Sequence, residues 1–204
     1  MIFSTKELYL KFKDYKTPHI KIQTEVKNKK LFPITRGLYE DNENTSGYLL
    51  TSYIKQDSYL SFEYVLSLEG LIPEKVFTYT AATTLKEHTS LIKTTFGNYY
   101  YQDIPVDVYM YGVKAINEFG YTYLIATKEK ALCDFLYKIT PCKSYKEFKE
   151  MLFEDLRIDW DEFHNLDMSD LIFLCPLYKR KNLNFLKKYA EEILNEHNFE
   201  SNVK

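Results

Sequence analysis

The sequence predicts an α+β chain in two parts, a small basic head and a larger acidic body. Three observations predict it. Helical periodicity and strand-like runs alternate through the first 126 residues and then give way to helical segments. Asp41 to Ser46 (DNENTS) is a polar, turn-rich break. Charge divides close to that break. Residues 1–37 hold nine Lys/Arg against three Asp/Glu, a balance of +6, so the net charge of -2 leaves -8 for residues 38–204. A basic end on an acidic body is an electrostatic footprint. A/T-rich coding also enriches Lys, Asn, Tyr, Phe and Ile, so the placement of the Lys residues carries the reading and their number does not.

In the head, Ser4-x-x-Glu7 has the form of a capping box, which starts a helix at Ser4. Leu8, Phe12 and Tyr15 fall at i, i+4 and i+7 and give it an apolar face. Asp14 to Thr17 reads as a turn, with Thr17 as the next N-cap and Pro18 at the first helical position. A second helix, Pro18 to Asn28, turns His19, Ile22 and Val26 inward. Lys21, Thr24, Lys27 and Asn28 then face outward, where they offer groups to phosphates and base edges; Ile20 shares that side and could meet a thymine methyl.

Leu31 to Tyr39 reads as strand, tight turn, strand, with Gly37 suited to positive φ and Arg36 near the tip. Lys29, Lys30, Thr35 and Arg36 would hold the flanking backbone or the minor groove. A basic helix alone is usually a solvated face. Helix, turn, basic helix and basic hairpin in succession are more specific, and they form the pattern of a winged helix-turn-helix over residues 1–41, with double-stranded DNA as partner. Most winged helices place three helices before the hairpin, and only two are visible here.

The body, residues 47–204, opens with a helix over Tyr59 to Glu74, with Ser61 as N-cap, Leu60 and Val65 as a staple, and Gly70 as the stop. Val76–Ala82, Phe96–Tyr101 and Tyr121–Ala126 read as strands of an antiparallel sheet. Thr127 caps a helix running to Ile139, whose core face is Ala131, Leu132, Phe135, Leu136 and Ile139. Its charged residues, Lys128, Glu129, Lys130 and Asp134, are expected to be solvated or paired, with Glu129 capping the helix or bonding a nearby loop. Helical segments follow at Ser144–Leu156, at Asp159–Leu174 with a break near Leu166, and at Asn182–Asn195; the end from His197 is expected to fray.

Nothing in the chain carries catalytic spacing. Cys133, Cys142 and Cys175 suggest neither a disulfide framework nor a zinc site, and Cys133 reads as a buried thiol. His19, His88, His164 and His197 do not fall at metal-ligand spacing. Asp155, Asp159, Asp161 and Glu162 read as a solvated helix start and not as a metal site. No phosphate loop, dinucleotide glycine motif or G-x-S-x-G occurs. The expectation is a non-enzymatic protein without cofactor or metal. No signal segment and no apolar run of membrane-spanning length is present, so the cytoplasm is expected.

Three blocks together resemble the AbiEi family, the antitoxin half of bacterial type IV toxin–antitoxin systems linked to abortive phage infection. The first is Arg36-Gly37-Leu38-Tyr39. The second is Tyr59–Thr84, YLSFEYVLSLEGLIPEKVFTYTAATT. The third is Ile125–Asp134, IATKEKALCD, with Phe96-Gly97-Asn98-Tyr99 between the second and third. The likeness covers about Leu31 to Ile139. Lys128 departs from it, standing where the family often has Pro. The resemblance implies a winged-helix head, an antitoxin body, and repression of the chain's own operon through inverted repeats in the promoter. It also implies antagonism of a nucleotidyltransferase-like toxin without a stable complex. The rival readings are a solitary winged-helix regulator, a protein-interaction module without antitoxin activity, and an enzyme acting on nucleotides or on the toxin.

Overall fold

A computed structural model describes residues 1–84 and 90–202, with side chains to residue 196. His88, His197 and the expected frayed end therefore lie outside the described side chains. The chain is α+β. Strand β1 (Ile2–Ser4) precedes helix α1 (Thr5–Lys11), α2 (Pro18–Lys27) and the hairpin of β2 (Phe32–Thr35) and β3 (Leu38–Glu40). These strands form a small antiparallel sheet in the order β1-β3-β2. The capping box at Ser4 and Glu7 is formed. β1 has no counterpart among the expected elements, because three residues are too few to show a period.

Leu8, Ile22 and Leu31 close the core of this unit, with Phe3, Phe12, Val26 and Tyr39 around them. Two expectations fail here. α1 ends at Lys11, so Tyr15 lies beyond it and is exposed. His19 is also exposed, because α2 buries Ile22 and Glu25 instead. Thr17 sits at the N-cap of α2, but its side chain makes no capping bond.

The body begins with a 3₁₀ turn, Gly47–Leu50, and the short α3 (Thr51–Ile54). Six strands follow: β4 (Ser58–Leu60), β5 (Tyr79–Thr83), β6 (Ser90–Thr94), β7 (Gly97–Asp103), β8 (Val113–Glu118) and β9 (Tyr121–Ala126). They make one sheet in the order β6-β7-β5-β4-β9-β8. It is mixed, not antiparallel as expected: β5 runs parallel to β7, and β4 parallel to β9. The long Tyr59–Glu74 helix is also corrected. Ser58–Leu60 is a strand, and only Phe62–Leu68 is helical (α4), with Gly70 in the left-handed region after it.

The remaining helices are α5 (Lys128–Lys138), α6 (Tyr145–Glu150) continued by a π turn to Asp155, α7 (Trp160–His164), α8 (Met168–Leu174) and α9 (Lys181–Asn202). The break expected near Leu166 separates α7 from α8. Leu132, Leu136, Leu171, Leu183 and Leu186 lie in the main core with Leu60, Val65 and Leu66. No described helix is long and apolar enough to cross a membrane.

The head is seated on the sheet. Ile34 of β2 is buried in one cluster with Leu50, Ala81, Tyr99 and Tyr101, and Ile2, Leu38 and Ile54 pack against it. The hydroxyls of Tyr99 and Tyr101 donate to the Gly47 and Thr51 carbonyls at 2.9 and 2.8 Å. Thr95 Oγ1 donates to the Pro33 carbonyl at 3.4 Å. Gly47 is needed for close approach: a Cβ there would stand 2.3 Å from the Phe96 carbonyl oxygen and 2.4 Å from the Tyr79 ring.

Candidate nucleic-acid interface and a buried ionic core

The head presents the sequence-nominated cations on two adjoining elements. α2 is held by Ile22 and Val26, and its C-terminal end leads directly into β2. The hairpin turn is Arg36-Gly37, with Gly37 at φ +84°. The Gly37 carbonyl accepts the Thr5 N–H at 2.8 Å, which ties the turn to the start of α1. Between helix and hairpin lies a groove of about 450 Å³, lined by Gln23 and Val26 on one wall and by Pro33, Thr35, Arg36 and Tyr39 on the other.

The eight nominated residues divide by their local bonding. Lys27, Asn28, Lys29, Lys30 and Arg36 are exposed, and Thr35 is half-buried on the groove wall. Lys29 adopts φ +55°, which ends α2; the Lys29 and Lys30 amides return to the carbonyls of Val26 and Glu25 at 3.1 and 2.9 Å. Lys27, Lys29 and Arg36 form no ion pair among the described residues. Lys30 contributes to the positive field that, after the Lys21 contact, holds the Glu25 carboxyl low.

The polar groups of Lys21 and Thr24 are engaged within α2, although Thr24 stays exposed. Lys21 Nζ lies 2.6 Å from Glu25 Oε1 and 4.9 Å from the Tyr15 ring centre. Its hydrogen bond to Glu25 raises its pKa. Thr24 Oγ1 donates to the Ile20 carbonyl at 2.8 Å. Sequence reasoning missed Gln23, which lines the groove. The expected helix phase put Lys21 on the outer face and left Glu25 out of account. Burial of Glu25 beside Lys21 rotates the outward stripe to Ile20, Gln23, Thr24 and Lys27.

The body holds a second group of charges, wholly enclosed. Lys130 and Asp134, one turn apart on α5, are both 0% exposed and paired at 3.0 Å. Asp134 Oδ1 also accepts from the Tyr178 hydroxyl at 2.6 Å. Its Oδ2 accepts from Tyr59 at 2.9 Å and from Ser61 at 2.7 Å. Lys130 Nζ donates to Tyr178 at 2.6 Å and stands 4.8 Å from the centre of that ring. Burial, reinforced by the Asp134 carboxylate, pushes the Tyr59 and Tyr178 hydroxyls well above the usual tyrosine range, so both remain donors.

The local chain explains why Ser61 takes part. It occupies the N-cap of α4, yet its hydroxyl does not cap. Thr80 Oγ1 of β5 accepts the Tyr64 N–H at 3.0 Å and so caps α4 from outside. The Ser61 hydroxyl is thereby free for Asp134. Phe62 follows at φ +56°, a conformation that costs roughly 1–3 kcal/mol and is held by full burial of its ring.

Glu129, also buried, accepts the Asp167 N–H at 3.1 Å, so it bonds the start of α8, the neighbouring-loop role expected of it. Asp159 caps α7 through the Glu162 N–H at 2.9 Å, as a helix start would. No group of three or more metal-binding side chains occurs among the described residues. Cys133 is a buried thiol, 3.9 Å from the Cys175 sulfur. Compared with known families and with curated proteins, the chain matches no family model and no protein.

Proposed function

We propose that the chain is a cytoplasmic DNA-binding antitoxin of the AbiEi type, which represses its own operon and antagonises a nucleotidyltransferase-like toxin. The head acts as a winged helix-turn-helix. α2 enters the major groove with Gln23, Thr24, Lys27 and Asn28 toward the bases, while Lys29, Lys30 and Arg36 hold phosphates or the adjoining minor groove. The single observation that carries this reading is a set of exposed cations that form no ion pair among the described residues: Lys27 at the end of α2, Lys29 in the turn after it and Arg36 at the hairpin tip. Cations not neutralised by a neighbouring carboxylate are those able to release counterions from a phosphate backbone. The antitoxin part of the proposal rests on the three sequence blocks.

The test is the affinity of the protein for its own upstream DNA across a salt series. Lys27→Ala and Arg36→Ala should each lower the salt slope by about 0.9 and weaken all sequences similarly. Lys21→Ala should change the slope less, because its charge is already neutralised by Glu25. A double Lys27→Ala, Arg36→Ala variant that binds the promoter as tightly as the wild type refutes the assignment. Rescue of growth from a co-expressed neighbouring toxin tests the antitoxin role separately.

A further inference from the structure

A patch on the body, formed by none of the head's residues, exposes four large apolar side chains. Val106, Met110 and Tyr111 lie in the segment between β7 and β8, and Phe173 projects from α8. Their exposures are 67%, 64%, 47% and 55%. The Tyr111 and Phe173 rings meet edge to face at 5.4 Å, which joins this segment to α8. Asp107, beside Val106, reaches Lys179 at 3.5 Å, and both of these charges are well exposed.

We propose that this face is the interface of a two-fold dimer of the chain. A two-fold contact uses one surface on both partners, so the surface must complement itself. This one does. The patch sets two aromatic rings beside one methionine and one valine, and aromatic residues and methionine are enriched at interfaces. At its margin it carries one carboxylate and one ammonium, which can exchange partners across the axis, Asp107 of one copy meeting Lys179 of the other. The four side chains present on the order of 400 Å² of apolar surface. A standard interface takes about 800 Å² from each partner, somewhat over half of it apolar. The patch therefore supplies most of such a core. A cationic partner is disfavoured, because Asp107 is already balanced by Lys179, and an anionic one by the same pair.

Sedimentation equilibrium without DNA tests this independently of the proposed function. The chain of 24.4 kDa should reach twice that mass as concentration rises from low micromolar to hundreds of micromolar. Phe173→Glu should weaken association by about 100-fold or more, since it leaves a charge in the interface core. Met110→Lys is a second such variant at an equally exposed position, so loss of folding in one does not remove the test. Both should keep the wild-type circular dichroism spectrum. Asp107→Lys and Lys179→Asp should each weaken the dimer by up to about fivefold, and the double exchange should restore it. A wild type that stays monomeric overturns the proposal. So does a dimer indifferent to Phe173→Glu and Met110→Lys, or a double exchange that fails to restore what the single changes lose.

Discussion

The sharpest test of the body is to remove one partner from the Lys130–Asp134 pair. Asp134→Ala leaves the Lys130 ammonium at 0% exposure with the Tyr178 hydroxyl as its remaining acceptor, and strands the Tyr59 and Ser61 donors as well. Leaving a buried charge uncompensated costs about 3–5 kcal/mol. The two stranded hydroxyls bring Asp134→Ala to the upper end of that range. Lys130→Met is milder. The carboxylate it leaves still accepts from Tyr59, Ser61 and Tyr178, so the loss should be nearer about 2–3 kcal/mol. Replacing both, Lys130→Met with Asp134→Leu, removes the charges together and should cost less than Asp134→Ala alone. Urea unfolding followed by circular dichroism gives the three values, and a drop of about 4 kcal/mol corresponds to about 8–16 °C in Tm for a chain of this size. If Asp134→Ala lies within about 1 kcal/mol of the wild type, or if the double replacement costs as much as Asp134→Ala alone, the pair does not form a closed ionic core.

The tyrosines give the pH dependence a definite sign. Tyr59 and Tyr178 ionise in the folded state well above the ordinary tyrosine value of 10.0, Tyr48 and Tyr109 only at about 12. Their contribution is complete below pH 10 and is lost as pH rises toward the folded values, at about 1.4 kcal/mol per pH unit for each fully buried hydroxyl. Urea midpoints that stay constant from about pH 9 to about pH 11 would contradict this. Gly47→Ala should cost about 2 kcal/mol or more, because its methyl collides with the Phe96 backbone and the Tyr79 ring; a Tm within about a degree of the wild type would show that the junction is looser than the contacts imply. Glu63 has a raised pKa through burial, and its Oε2 has no partner, so Glu63→Gln should gain up to about 1 kcal/mol at about pH 7 and lose that advantage below pH 4.5. Equal gains at both pH values would mean that the charge is not the cause.

The elements with a local signal were legible in the sequence. Ser4 and Glu7 start α1, Thr127 caps α5 with a bond to the Lys130 amide at 3.2 Å, and Gly70 stops α4. What escaped depends on partners distant in the chain. Tyr59 and Leu60 read as the lead into a helix capped at Ser61, because Leu60 and Val65 fit a staple, yet Ser58–Leu60 is β4. It is a strand because β5 and β9 flank it on both sides, and no local pattern reports those neighbours. The parallel pairing of β5 with β7 is hidden for the same reason, since the chain makes β6 between them.

The charged residues of α2 and α5 show the same limit at the level of the site. Lys27 and Lys130 both sit in helices of mixed charge, and composition treats them alike. Lys130 lies one turn before Asp134 on the helix face that α5 turns to Tyr59, Ser61 and Tyr178, and is therefore consumed inside the protein. Lys21 and Glu25 repeat that i, i+4 spacing on α2, and Lys21 is consumed there too. Lys27 has Gln23 four residues before it and Leu31 four residues after, so the spacing offers it no carboxylate. The lack of an acidic residue at i±3 or i±4 thus separates Lys27 from Lys21 and Lys130 on spacing alone. Lys29 breaks this rule. Glu25 stands four residues before it, so spacing would pair the two, but a φ of +55° takes Lys29 out of the helix and away from that carboxylate. Spacing finds the paired lysines, and backbone conformation decides the one case that spacing misassigns.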